Sequence, residues 1–200
     1  MIIYAETQRE WMLAAQAAFS QSLQVVTVYA TLGEEGLIHG TTQTKTKVIV
    51  ADAKLLKIVA NAIKTNKTDM KSCTSVVYIV DPVQKPDPIA AAAIDAALES
   101  LKKAGIKVVT FDELQASGEA APLAVAPPKA EDVAVIMYTS GTTGMPKVMA
   151  HAENSRGSPA CALACALAWI WPGSGLDLAW IWPGSGLDLA WIWPGSGLDL

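Results

Sequence analysis

Cysteine is scarce in this chain. Cys73, Cys161 and Cys165 are the only three, too few for a disulfide framework and consistent with a reducing compartment. Histidine is scarcer still, at two residues. Cys161 and Cys165 would share a helix face at their spacing of four, but only His151 lies near them, so small buried thiols explain them better than a metal site. Long apolar runs are also missing. The longest nearly apolar stretch, Ala160 to Trp171, has 12 residues and is too short to span a bilayer as a helix. The N-terminus has no basic-then-apolar leader pattern. No basic residue follows Arg156. With a formal net charge of −4, nothing in the charge balance calls for nucleic acid or an anionic membrane as partner.

What is abundant is concentrated at one end. LAWIWPGSGLD recurs without a mismatch at Leu167–Asp177, Leu178–Asp188 and Leu189–Asp199, and six of the seven tryptophans lie there. An 11-residue period fits a right-handed coiled coil, but Pro-Gly-Ser-Gly in every unit breaks a helix. The unit is also shorter than stacking solenoid repeats. A working repeat keeps only its apolar and turn positions, so identity throughout reads as recent duplication, and translated non-coding or misassembled sequence is the preferred account. The rival is a membrane-interface segment rich in Trp and Leu, which would ordinarily carry basic residues. Residues 155–200 are therefore read as a low-complexity tail beyond a domain at 1–154.

Within 1–154, strand and helix signals alternate, which predicts an α/β fold with a mostly parallel sheet flanked by helices. Ile2–Tyr4 reads as a strand. Thr7-Gln8-Arg9-Glu10 has the form of a capping box for a helix with Trp11, Ala15, Ala18 and Phe19 on one face. Val25–Tyr29 is a buried strand. A short helix starts at Thr31–Glu34 and runs through Ile38, which leaves His39 on a polar turn with Gly40 and Thr41. Val48–Val50 is a strand, after which Asp52 caps a helix carrying Leu55, Leu56, Val59 and Ile63. Val76–Val80 is the next strand. Asp87-Pro88 supplies an N-cap with proline at the first helical position, the helix presents Ile94, Leu98 and Leu101, and Gly105 ends it. Ile106–Thr110 is a strand. Ala116–Ala130 reads as loop because of Gly118, Pro122, Pro127 and Pro128. Val133–Tyr138 is the last strand.

Directly after it stands Tyr138–Lys147, YTSGTTGMPK, with five hydroxyl-bearing residues, two glycines and a lysine in ten positions. Glycines let backbone approach closely. Successive amides in such a turn form an anion-binding concavity, and lysine adds a compact positive charge. Thr139, Ser140, Thr142 and Thr143 add donors without bulk. The spacing is not that of the Walker loop, because Lys147 lies three residues past Gly144 and is followed by Val148. Other polar residues rank lower. His39 reads as solvated or capping, and Glu34-Glu35 as carboxylates that complement a helix dipole. Tyr138 reads as packing beneath the loop rather than touching a nucleotide.

The ten-residue string resembles the phosphate-binding signature of the adenylate-forming enzymes. Tyr4–Gly40, with its ETQREWMLAAQ and VTVYATLGEE stretches, resembles the long-chain fatty acyl-CoA synthetases in particular. The resemblance runs from about Ile2 to Asn154. It implies that Thr139, Ser140, Gly141, Thr142, Thr143, Gly144 and Lys147 grip the β and γ phosphates of ATP. It further implies an enzyme that uses ATP and Mg2+ to activate a long-chain fatty acid as its adenylate and then passes the acyl group to coenzyme A. It implies no catalytic residue within this chain. Intracellular, membrane-associated placement, at the endoplasmic reticulum or a similar membrane, is what the family implies for the intact enzyme.

Two departures qualify the match. The family usually follows Pro-Lys with Gly-Val, whereas here Val148 follows Lys147 at once, so one glycine is missing and the register between the loop and the next strand shifts. His151 corresponds only loosely to the histidine after the family's loop. Beyond Asn154 the family's later motifs, including its ribose-binding aspartate and the lysine of its C-terminal domain, have no counterpart. The expectation is an inactive N-terminal-domain fragment of such a ligase. The alternatives are another adenylate-forming enzyme, or a non-enzymatic nucleotide-binding or membrane-docking fragment.

Overall fold

The computed structural model describes residues 1–81, 86–129, 132–139 and 147–152, with residue 139 and the last six through their backbone alone. Strands and helices alternate as β1 (Ile2–Tyr4), α1 (Arg9–Ser20), β2 (Val25–Thr27), α2 (Gly33–Thr44), β3 (Val48–Asp52), α3 (Leu56–Thr65), β4 (Ser75–Ile79), α4 (Pro88–Lys103), β5 (Lys107–Thr110) and α5 (Phe111–Ala120). β6 (Val133–Thr139) and β7 (Lys147–Ala152) follow. They form one sheet in the order β5-β4-β3-β1-β2-β6-β7. Every neighbouring pair is parallel except β6 with β7, which is antiparallel. The α/β, mostly parallel architecture is as the alternation predicts.

Side-chain alternation along each strand builds two cores, one on each face. Ile2, Tyr4, Val26, Val28, Ile49, Ala51, Val76 and Tyr138 point to one face, where they meet Leu37 of α2, Leu56, Val59 and Ile63 of α3, and Ala97 and Leu101 of α4. Ile3, Val25, Val50, Val77, Ile79, Val135 and Met137 point to the other, beneath Trp11, Ala15, Ala18 and Phe19 of α1, with Phe111 at the margin. β6 departs from strict alternation. Ala134 and Val135 are both buried on the α1 side, because the register against β7 slips between Val133 and Val135. A bulge puts two successive residues against one partner residue.

Four local readings of the sequence are corrected. Thr7 is not the N-cap of α1; Gln8 holds that position, without a side-chain cap. Instead of reaching back, Glu10 turns to Arg9, with 2.6 Å between Arg9 Nη2 and Glu10 Oε1. Asp52 does not cap the turn that follows it, because its carboxylate is taken by the β1–α1 connection. α2 continues past Ile38 to Thr44 and ends on Lys45 at φ 50°, so His39 and Gly40 lie inside a helix. The predicted loop from Ala116 begins within α5, whose N-terminus has a complete capping box. Thr110 Oγ1 accepts from the Glu113 amide at 3.0 Å, and Glu113 Oε2 accepts from the Thr110 amide at 2.8 Å. The box outweighs Gly118, which costs a helix only ~1 kcal/mol. The Asp87 cap is as predicted, accepting from the Ala90 amide at 2.7 Å.

Candidate functional site

Parallel pairing brings the carboxyl ends of β1, β2, β3, β4 and β6 to the same edge of the sheet. In open α/β sheets ligands bind outside this edge, where consecutive connections leave for opposite faces. Here the connection after β1 leaves to the α1 face, while those after β2 and β3 leave to the face of α2 and α3. The candidate phosphate segment starts from this edge, on β6.

Of the residues assigned to phosphate binding, Thr139 is the last residue of β6 and Lys147 the first of β7. They face each other across the antiparallel ladder, one step beyond the Tyr138–Val148 pair. The backbone thus returns to meet itself at the mouth of the segment, and β7 is the next strand. Ser140, Gly141, Thr142, Thr143 and Gly144 lie outside the described residues, as do Cys161, Cys165 and the repeat. His151 belongs to β7, paired with Val135.

Beneath this mouth the strand is held by α2. Tyr138 is 2% exposed, and its hydroxyl donates to Gln43 Oε1 at 2.9 Å. The His39 ring meets the Tyr138 ring edge-on, 5.7 Å between centroids and 72° between planes. Gly40 makes room for this packing: a Cβ there would stand 3.1 Å from Val28 Cγ2 and 3.4 Å from Tyr138 Cε2. Burial raises the Tyr138 hydroxyl above its ordinary pKa, so it stays a donor at neutral pH. Tyr138 therefore packs in the core, as the sequence predicts, while His39 is a half-buried helix residue against an aromatic ring rather than a turn residue.

The same edge carries a cleft of roughly 800 Å³ between the ends of β1, β3 and β4 and the start of α4. Asp52 is among the residues that line it. Asp52 Oδ2 accepts from the Glu6 amide at 3.0 Å and Oδ1 from Gln8 Nε2 at 2.6 Å. Burial pushes its carboxyl above the ordinary value, against the opposing pull of the Glu6 amide, Lys54 and Gln8. Lys54 Nζ stands 2.8 Å from Glu6 Oε1, and that partner raises the lysine's pKa. These contacts pin the connection after β1 to β3. No spacing rule exposes such a link between residues 44 and 46 positions apart in sequence. Among the described residues no three His, Cys, Asp or Glu side chains come together as a metal-binding set, and no Mg2+ ligand is assigned. Among them, too, no helix is long and apolar enough to cross a membrane.

The profile of the AMP-binding enzyme family matches residues 1–185. The chain belongs to that family. It is 33% identical over 146 residues to Long chain acyl-CoA synthetase 8 of Arabidopsis thaliana, covering 72% of this chain and 18% of that protein. It is 38% identical over 162 residues to Long-chain-fatty-acid--CoA ligase 4 of Saccharomyces cerevisiae, covering 74% of this chain and 22% of that protein. The chain thus spans about a fifth of the length of the curated relatives it matches. Among solved structures, the fold matches the A-PCP didomain of the carboxylic acid reductase from Segniliparus rugosus with a TM-score of 0.63. The match is 22% identical and covers 76% of this chain and 22% of that one. The family match extends past Asn154, where the resemblance read from the sequence stops.

Proposed function

We propose that this chain carries the phosphate-binding part of an AMP-forming long-chain fatty acid–CoA ligase. The placement of Thr139 and Lys147 at the two ends of the segment carries the reading. A segment of hydroxyls, glycines and one lysine starts from the carboxyl end of a parallel strand, on the edge where α/β sheets bind nucleotides. The relatives' names supply long-chain fatty acid as acyl donor and coenzyme A as acceptor, and membership of the AMP-binding family implies ATP as activator.

In the reaction proposed, a fatty carboxylate attacks the α-phosphorus of ATP and pyrophosphate leaves. Both reactants are anions, so the step needs fixed donors and cations on the phosphoryl oxygens. Thr139, Ser140, Gly141, Thr142, Thr143, Gly144 and Lys147 supply them on this reading, as amide, hydroxyl and ammonium donors to the β and γ phosphates. Mg2+ would neutralise further charge on the phosphates when bound. We place the domain at 1–154 and a low-complexity repeat tail, which the family match enters as far as residue 185, at 155–200, and take membrane association, at the endoplasmic reticulum or a similar intracellular membrane, as a property of the intact ligase.

Affinity in the chain by itself should be low. Ordering a glycine-rich segment costs ~1–2 kcal/mol of backbone entropy per residue, and charge-assisted contacts at ~1.5–3 kcal/mol each offset only part of that. Titration with MgATP is expected to give a dissociation constant in the millimolar range, lost in Lys147→Ala. Because Lys147 stands opposite Thr139 in the ladder, inserting one glycine after it should restore the family register and tighten binding. Equal affinity in all three proteins would take the segment out of the nucleotide site.

A further inference from the structure

We infer that Tyr138 is a positioning residue: the hydrogen bond from its hydroxyl to Gln43, with His39 against its ring, fixes the carboxyl end of β6 to α2 and so sets where the 139–147 segment begins and ends. The inference rests on the proposed reading of that segment as the phosphate-binding loop, and goes beyond it by assigning the support to His39 and Gln43 on another element.

The geometry favours a fixing role over mere filling of space. A buried tyrosine hydroxyl must find a partner, and Gln43 is the one this hydroxyl meets, at 2.9 Å and 95 positions away in sequence. Tyr138 is the last residue before the segment. Its own ladder partner is Val148, so holding it also holds the neighbouring Thr139–Lys147 pair. α2 reaches the ring because Gly40 offers no side chain at the crossing. Phenylalanine would fill the same core volume and keep the His39 contact while losing the bond, which separates positioning from packing.

The test uses the full chain with Tyr138→Phe, Gln43→Met and Gln43→Glu, the last retaining an acceptor oxygen. Amide hydrogen exchange is followed in peptides covering 133–152 and, as reference, 48–52; MgATP affinity is measured in parallel. Tyr138→Phe and Gln43→Met are expected to speed exchange in 133–152 and to weaken MgATP roughly five- to tenfold, the size of one lost hydrogen bond. Exchange in 48–52 should stay at the wild-type rate, and Gln43→Glu should retain wild-type behaviour in both readouts. Unchanged exchange in 133–152, or equal acceleration in 48–52, would overturn the inference. If exchange changes as expected while wild-type chain binds no MgATP, the hold on β6 stands and the phosphate-binding reading fails.

Discussion

Cys73 is 4% exposed, and burial pushes its thiol up to about 11 from 9.0, against the opposing pull of a backbone hydrogen bond at Ser75. The thiolate is the reactive form, so the native thiol is inert. In a Cys161→Ser/Cys165→Ser background, alkylation at pH 8 is expected to be slow when folded and fast in denaturant; rapid native labelling would contradict the burial. The linkage has a definite sign. Between about pH 9 and 11 the unfolded chain has lost this proton while the folded one keeps it, so stability falls as pH rises through that window. Gly40 is constrained from the other direction. A Cβ there already meets Val28 and Tyr138 at 3.1 and 3.4 Å, so Gly40→Val is expected to cost ~1–3 kcal/mol by overpacking, read as a lowered denaturation midpoint. From the sequence Tyr138 is legible as core, whereas the small-buried-thiol reading covers Cys161 and Cys165 and leaves Cys73 unassigned. The sequence hides His39, because the Gly40-Thr41-Thr42 run after it looks like a turn when the glycine's real office is close packing.

α5 shows how element boundaries go astray. Gly118 and the prolines beyond it suggest a loop, yet the decisive signal is Thr110 with Glu113 three residues on, the form of a capping box. The same form at Thr7–Glu10 is not realised, since Gln8 is engaged by Asp52 and Glu10 by Arg9. A capping motif therefore shows that a cap is available, and tertiary partners decide whether it is used. Thr110→Ala is expected to cost ~1 kcal/mol, and Gly118→Ala, with open space around it, to gain ~0.5–1 kcal/mol through backbone entropy; chemical denaturation reads both. The Thr110 amide and hydroxyl hold the Glu113 carboxyl below its ordinary 4.5. Its contribution is therefore complete above that value and fades as pH falls through the lowered one, so the Thr110→Ala deficit should shrink on acidification.

For the molecule as a whole, the alternation of strand and helix signals was enough to predict a mostly parallel sheet, and the observed two-faced core follows from period-2 burial in β1, β3 and β4. The order of strands was not legible. Nothing in the residues of β1 says that it pairs with both β2 and β3, or that β6 adds beside β2, because parallel neighbours are chosen by connections that cross whole helices. The candidate site was legible as chemistry and illegible as support: YTSGTTGMPK announces its donors, whereas Gln43 and His39 are placed by folding. That division bears on activity. On the proposed reading residues 139–147 bring donors to the β and γ phosphates, but acyl transfer also needs the carboxylate, the α-phosphorus and the thiol held in near-attack geometry. Matched to only about a fifth of its relatives' length, this chain supplies, on the proposed reading, one part of that arrangement. Incubated with ATP, Mg2+, coenzyme A and palmitate, the 200-residue polypeptide is expected to form no acyl-CoA above a no-protein control, while still showing the Lys147-dependent MgATP binding proposed for its loop. Acyl-CoA formation would mean that the described sheet edge, with its cleft lined in part by Asp52, assembles more of the reaction centre than phosphate binding requires.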